Sequence, residues 1–441
     1  MAQIFVSAVA HFFVVVSGSK IHERVAHFFI DIYKKISNYF NNNKEEGTLH
    51  MPKLATKEYC TGCTACASAC PKACITMTAD EHGFLFPVID DSLCVDCRLC
   101  EQVCPIVIPA KKSGNTPQAY AAYSIDEQTR LSSSSGGIFS EIAKSVLSHD
   151  GAVFGAAYDD QFTVVHICVE CTEDLAKLRG AKYAQSNLNG IFVQVKERLD
   201  KGQEVLFSGT PCQVGSLKAY LRKDYPNLLT VDFACHSVPS PMAWSEYVKY
   251  RAQKDNNGKI PEAINLRSKQ AGWSRYQYSN LFMYQNGDSY AEKNGESLYM
   301  KLFVDGYINR ESCANCHFKG YHRASDFTIG DFWGIWDIAP EMDDNKGTSV
   351  VLVHSSHGQE LLQSISNRLK LKPVTLEEAS RQNSALIKAF PSHERRQEIL
   401  SIIGNGQFSE LAQTIGLSTV PMENKYKQLI RRILRKVGLR Q

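Results

Sequence analysis

Fifteen cysteines stand in the chain, and eight of them form a doubled motif. Cys60, Cys63, Cys66 and Cys70 are followed, at a constant offset of 34 residues, by Cys94, Cys97, Cys100 and Cys104. Each half reads C-x2-C-x2-C-x3-C-P and ends in Pro71 or Pro105. A cubane iron–sulfur cluster needs four thiolates around a compact core, and three cysteines so spaced let one loop wrap three corners. In a doubled run the fourth cysteine of each half ligates the other half's cluster. The expected sets are therefore Cys60, Cys63, Cys66 and Cys104 for one [4Fe–4S] cluster, and Cys94, Cys97, Cys100 and Cys70 for a second. Zinc is the competing reading, but zinc sites usually join two separate C-x2-C hooks. Cys74 has Ile108 at its equivalent position, so it reads as a small buried apolar residue. An odd total with this clustering suits metal ligation in a reducing, cytoplasmic compartment and not a secreted disulfide framework.

Four more cysteines sit in motif-like surroundings: Cys212 in GTPCQ, Cys235 in DFACHSVPSP, and Cys313 with Cys316 in RESCANCHFK. Two follow strand-like runs and two form a hook, so three distant segments converge if their loops share one edge of a sheet. A third [4Fe–4S] cluster, a structural zinc site and a reactive Cys212 at a helix start are the alternatives on spacing alone. Cys168 and Cys171 form another hook in HICVECTEDL and supply a further zinc pairing with Cys313 and Cys316.

A second kind of chemistry is suggested by SSSSGG, residues 132–137, just before an apolar helical segment. Hydroxyls and backbone N–H groups at a helix start, with Gly136 and Gly137 allowing close approach, suit the phosphates of a nucleotide cofactor. Serines before a helix also serve simply as caps. The Gly-led stretch RGAKYAQS adds a cation and an aromatic ring, Lys182 and Tyr183, suited to an anionic planar cofactor, or else forms a surface loop.

The elements that must position these residues follow from patterning. Runs such as AYAAYS, GAVFGAAY, TVVHICV, EVLFSG, LLTVDFAC, DFTIGDFWG and SVVLVHS predict strands. Residues 138–147, 213–221, 242–253 and 358–369 predict helices, and residues 278–290 a hairpin turning at Asn286-Gly287. The expected organisation is a helical extension and linker over residues 1–50, an iron–sulfur module over 51–108, a mixed α/β domain over 118–375 and a helical tail over 376–441. The 441 residues, 44% hydrophobic and 22% charged, exclude disorder and a mini-protein. A net charge of +3 gives no argument for a nucleic-acid partner. The apolar run at residues 4–16 is too short to span a bilayer and lacks a basic leader. Residues 426–439, YKQLIRRILRKVGL, form a basic amphipathic stretch that either packs on its own domain or docks peripherally on the membrane's inner face.

The doubled motif resembles the bacterial two-cluster ferredoxins. RGAKYAQS, GTPCQV, ACHSVPSP, SCANCHFK and SDFTIGDFWG occur in the order and approximate spacing seen in the family of coenzyme F420 hydrogenase/dehydrogenase beta subunits, over about residues 60–375. The resemblance implies a third cluster on Cys212, Cys235, Cys313 and Cys316. It also implies an FAD pocket drawn from Ser134, Ser135, Gly136, Gly137, Lys182, Tyr183, Gly209, Thr210 and Gln213. Cys168 and Cys171 match no family motif. The family usually has GSKY and CHG where this chain has Gly180-Ala181-Lys182-Tyr183 and Cys235-His236-Ser237, swaps between small residues that remove no ligand.

The implied activity is that of an oxidoreductase converting a two-electron hydride exchange, with a deazaflavin or another small-molecule donor or acceptor, into one-electron exchange with a redox partner such as ferredoxin or another oxidoreductase subunit. A flavin-free electron-transfer subunit is the alternative, kept open by the absence of a G-x-G-x-x-G fingerprint. His236, His317 and Asp331 lie in the family motifs as candidate proton relays, and no catalytic acid or base is assigned.

Overall fold

A computed structural model describes residues 52–109, 114, 116–270, 272–273, 278–411 and 415. The expected N-terminal extension (residues 1–50) and the basic amphipathic tail lie outside the described residues. The described residues form one compact unit.

The doubled motif is a doubled structure. Short helices α1 (Ala65–Ala69) and α2 (Leu99–Gln102) follow equivalent left-handed turns. Gly62 and Thr64 have φ of 64° and 66°, and the residues 34 positions on, Asp96 and Arg98, have 48° and 57°. Between the halves, β1 (Ile75–Ala79) and β2 (Leu85–Ile89) pair as an antiparallel hairpin. The Asp80 carboxylate closes its turn by accepting from the backbone N–H groups of His82 and Phe84.

The larger part is built on an eight-stranded mixed sheet. Its strands are β3 (Gln118–Ser124), β4 (Ala152–Tyr158), β5 (Val164–Val169), β6 (Val205–Ser208), β7 (Leu228–Phe233), β11 (Phe327–Asp331), β12 (Ser349–Val353) and β13 (Leu369–Val374), in spatial order β13-β3-β12-β11-β7-β6-β4-β5. The central four, β4, β6, β7 and β11, run parallel, and antiparallel strands flank them on both sides. Near-continuous apolar runs in the centre reflect burial on both faces. Along β4, Val153 and Ala157 face α3 (Ile138–Leu147) in one core, while Ala152 and Phe154 join α4 (Ile191–Asp200) and α5 (Pro211–Leu221) in another. A second, three-stranded antiparallel sheet, β8 (Ala263–Ser268), β9 (Ser279–Met283) and β10 (Ser289–Lys293), shares an aromatic-rich core with α6 (Pro241–Asn256).

Within the expected α/β domain the strands and helices named from patterning exist, including the hairpin with its Asn286-Gly287 turn, and the described part of the expected helical tail holds two short helices, Leu376–Ser380 and Arg396–Gly404. The helix expected over 358–369 is displaced: it occupies Ser356–Ser364, and Leu369 instead opens β13. The apolar spacing is helical through Leu361, Leu362 and Ile365, but Leu369 and Leu371 alternate and pair with β3. Among the described residues no helix is long and apolar enough to cross a membrane.

Candidate functional site

Three cavities are bordered by cysteines. The first, about 370 Å³ of space partly open to solvent, is lined by Cys60, Cys63, Cys66 and Cys104. The second, about 330 Å³, is lined by Cys70, Cys94, Cys97 and Cys100, with Cys74 beside them. The two helices cross-connect these spaces. Cys66 on α1 borders the first cavity and Cys70, its C-cap, the second; Cys100 on α2 borders the second and Cys104, just past it, the first. Cys74 is buried, and its Sγ lies 3.3 Å from that of Cys70, so it is an apolar core member that also touches the second set.

The third cavity, about 620 Å³, gathers Cys212, Cys235, Cys313 and Cys316. Each arrives differently. Cys212 stands in the first turn of α5, whose start is fixed by a capping box: the Thr210 hydroxyl accepts from the Gln213 N–H, and the Gln213 side chain accepts from the Thr210 N–H at 2.8 Å. Cys235 follows β7, and the hook of Cys313 and Cys316 lies in a short 3-10 turn and the loop after it. Tyr59, Thr61 and Ile106, all from the doubled-motif module, complete the wall. Thr61 and Ile106 line the first cavity as well.

The donor sets fit iron–sulfur clusters, which take four soft thiolates. Backbone N–H groups of Gly62, Ala67, Ile106 and Val107 point at sulfurs of the first set, the hydrogen bonding that stabilises thiolate ligands. Burial pushes the Cys235 thiol to about 11 and Cys313 to about 12, and holds Cys212 far above its usual range. In the metal-free chain these are neutral thiols, so ligating a metal would release protons. Among the described residues no group of His, Cys, Asp or Glu closes around a point as ligands of a single ion would; the cysteines stand around cavities instead. Cys168, on β5, and the exposed Cys171 border none of the three.

The residues expected around a flavin divide into two groups. Thr210 and Gln213 form the capping box beside the third cavity, with Gly209 packed against Gln213 and the Gln213 amide also donating to Ser186 Oγ. Ser135, Gly136 and Gly137 lie at the start of α3, and Ser134 precedes them. The Ser135 hydroxyl donates to Thr348 O and the Gly136 N–H to Ser349 Oγ, so this loop is stitched to β12. A Cβ on Gly136 would stand 2.4 Å from Ala122 O, so that glycine is required by close packing on β3. The RGAKYAQS loop connects the groups. Near its beginning Arg179 donates to Ser140 on α3, and near its end Gln185 and Ser186 meet Arg310 and Gln213 beside the third cavity.

Sequence reasoning missed the basic and aromatic residues around that loop. Arg267 donates to the Tyr183 hydroxyl at 2.9 Å, pairs with Asp331 at 2.5 Å, and lies over the rings of Trp273 and Tyr278. Lys269 donates to the carbonyls of Arg130 and Ser135. Lys182 donates to the carbonyls of Arg179 and Gly180. Among the described residues neither lysine has a carboxylate within ion-pair distance, and burial pulls each down to about 7. Lys269 lies over the Trp273 ring and Lys182 near the Tyr158 ring, pairings of cation and aromatic face suited to a planar anion. The alternation of cations in NLRSKQAGW, at a strand end before a Trp, was the available signal. Of the candidate proton relays, His236 and His317 border the third cavity, whereas Asp331 is held by Arg267 and is not among its lining residues.

Comparison with known proteins places these features. Residues 119–192 match the N-terminal part, and residues 202–378 the C-terminal part, of the family described as coenzyme F420 hydrogenase/dehydrogenase, beta subunit; residues 59–108 match a "4Fe-4S dicluster domain". One of the subunits of the F420H2 dehydrogenase of Methanosarcina mazei is 25% identical over an alignment 182 residues long that covers 37% of this chain and 49% of that protein. The chain therefore spans about half the length of that curated relative. A ferredoxin of Methanocaldococcus jannaschii is 33% identical over 69 residues, 14% of this chain and 88% of the ferredoxin. A chain of the F420-reducing nickel–iron hydrogenase complex of Methanosarcina barkeri superposes with a TM-score of 0.41 at 16% identity, covering 70% of this chain and 96% of that one.

Proposed function

Because the chain belongs to the family of coenzyme F420 hydrogenase/dehydrogenase beta subunits and carries a 4Fe–4S dicluster module, we propose that it is an iron–sulfur flavoprotein oxidoreductase with three [4Fe–4S] clusters and one FAD. The observation that carries this reading is the shared wall: Thr61 and Ile106 border both the first cavity and the third, so a site assembled by the α/β part abuts one built by the module. Bound clusters would each carry one electron, and a bound flavin would accept a hydride pair and release electrons singly.

The chain's own residues order these sites. Cys60, Cys63, Cys66 and Cys104 would hold the first cluster, Cys70, Cys94, Cys97 and Cys100 the second, and Cys212, Cys235, Cys313 and Cys316 the third. Lys182 and Lys269 would meet the flavin's phosphates, while Tyr183, braced by Arg267, would orient its ring system. The module's far cavity, with Cys97 exposed, offers the exit toward a redox partner protein. Residues 51–108 and 118–375 are the two functional parts on this reading.

A second reading, a flavin-free electron-transfer subunit, draws on the engaged state of the expected phosphate donors: Ser135, Gly136, Thr210 and Gln213 all spend polar groups within the chain. Adding reduced coenzyme F420, and separately NAD(P)H, to anaerobic full-length protein supplied with FAD decides between them. Loss of the visible iron–sulfur absorbance that requires FAD supports the oxidoreductase. Reduction by ferredoxin but by neither donor, with or without FAD, supports the second reading. Peripheral membrane contact through residues 426–439 is a separate proposal, tested by co-sedimentation of the full chain and a chain ending at residue 423 with anionic vesicles.

A further inference from the structure

Arg310 is among the most deeply buried large side chains, 1% exposed. Its guanidinium donates to three neutral acceptors: Nε to Cys60 O at 2.8 Å, Nη1 to Gln185 Oε1 at 2.8 Å and Nη2 to Leu85 O at 2.9 Å. Phe84 and Phe86 lie under it. No carboxylate among the described residues is within ion-pair distance. Arginine keeps its proton in proteins, so this is a permanent charge on a buried side chain with no acidic partner at ion-pair distance among the described residues. Such a charge is costly unless something nearby balances it.

The groups able to balance it are sulfurs. Cys60 of the first set gives the guanidinium its carbonyl, and Cys212 and Cys313 of the third line the same cavity as Arg310, so these sulfurs would face it with negative charge once they ligate a cluster. The approach is close on both sides. Arg310 lines the third cavity, and a Cβ on Gly62, inside the first cysteine loop, would stand 2.8 Å from its Nη1. At the second cavity the cation Arg98 is exposed and turned to Asp96. Lys319, bound to Cys235 O, serves the third set alone.

Resting on the three-cluster reading, we propose that Arg310 is the shared countercharge of the first and third cysteine sets, making both of the clusters they hold easier to reduce than they would be beside a neutral residue. A cluster with four thiolates gains negative charge on reduction, and a fixed cation a few ångströms away in a low dielectric favours the reduced form. Arg310 is a positioning residue here, because it also ties Cys60 and the hairpin to the RGAKYAQS loop, and its test must separate charge from clamping.

The experiment is an anaerobic redox titration of full-length protein, followed by electron paramagnetic resonance, on wild type, Arg310→Gln and Arg310→Lys, with iron and sulfide counted in each. Arg310→Gln is expected to shift the first and third clusters toward the oxidised form by about tenfold, which is about 59 mV for a one-electron couple, and to leave the second in place. Arg310→Lys is expected to keep wild-type potentials. Unchanged potentials in Arg310→Gln, or an equal shift of all three clusters, would overturn the proposal. Should Arg310→Gln lose iron from the two sites, Arg310→Lys decides: retained iron supports the countercharge, and equal loss overturns it in favour of a clamp. A wild type lacking a third cluster refutes the three-cluster reading itself, which the iron count reveals before any variant is compared.

Discussion

The first two cysteine sets and the third reach similar surroundings by opposite routes. The module's sets come from two loops of one short segment, each shaped by paired left-handed turns at Gly62 and Thr64 or Asp96 and Arg98. The third set needs the start of α5, the end of β7 and the hook at Cys313 to meet, and the sheet does the gathering through parallel neighbours β6, β7 and β11. A local site is written in spacing; an assembled one exists only after the chain has folded. The difference predicts that the module's sites depend on their own loops, whereas the third depends on long-range packing.

The largest effects test that contrast in metal content. Cys104→Ser, although in the second half of the repeat, is expected to empty the first site and remove about a third of the iron, by the exchange of fourth ligands between halves. Cys316→Ser is expected to remove a similar third and to leave the module's two spectroscopic signals in place. Iron analysis with electron paramagnetic resonance checks both; a Cys104→Ser protein that loses only the second site's signal contradicts the crossed assignment.

Stability should separate the regions next. Arg267 and Asp331, 6% and 16% exposed in their side chains, pair across 64 residues of sequence in the α/β part. Asp331→Asn leaves the buried guanidinium without its anion and is expected to cost about 3–5 kcal/mol in urea unfolding. Retention of the wild-type midpoint would show that the carbonyls and rings around Arg267 suffice.

A smaller, pH-dependent effect comes from Lys182 and Lys269, lowered by burial from 10.5 to about 7. Between about pH 7 and 10.5 the unfolded chain binds more protons than the folded one, so stability should rise with pH across that window and level off below it, where both states are protonated. His166, pushed down to about 4 by burial, stays neutral there; the charged groups facing Lys269 are Arg130, Arg267, Asp331 and Asp344. Lys182→Met should flatten the rise in unfolding midpoint. A bound anion reverses the sign: it holds the lysines protonated, so FAD affinity should fall as pH climbs above about 7. Affinity that is level across that range would remove the lysines from the flavin's phosphates.

The smallest effect lies at the seam. Tyr59, 40% exposed, meets the edge of the His317 ring at 5.7 Å and ties the module to the hook. Tyr59→Ala is expected to lose about 0.5–1.5 kcal/mol by thermal unfolding. A far larger loss would mean that the module anchors the third site more than the sheet does.

How much of this was legible in sequence follows the same division. The doubled motif shows its ligands because their spacing is their geometry. Strands such as β4 and β12 were legible because burial on both faces makes apolar runs. β13 was not, since its alternation begins where a helical period ends and its pairing with β3 is long-range. The meeting of Cys212, Cys235, Cys313 and Cys316 at one cavity was suggested by strand-to-loop positions and by family resemblance, and spacing alone left zinc open. Arg310 was invisible, because nothing local distinguishes a buried cation from a solvated one, and Arg267 and Lys269 left only the weak signal of alternating cations before Trp273. SSSSGG showed a helix start but not that Gly136 answers to the Ala122 carbonyl.

The three-cluster reading requires that all three cysteine-lined cavities hold iron–sulfur clusters. Its most direct test is the count of iron and acid-labile sulfide per chain in full-length protein purified without oxygen. About twelve of each are expected, four for every cluster, falling to about eight in Cys316→Ser. About eight in the wild type after cluster reconstitution, unchanged by that substitution, would contradict it and leave the third set without a cluster.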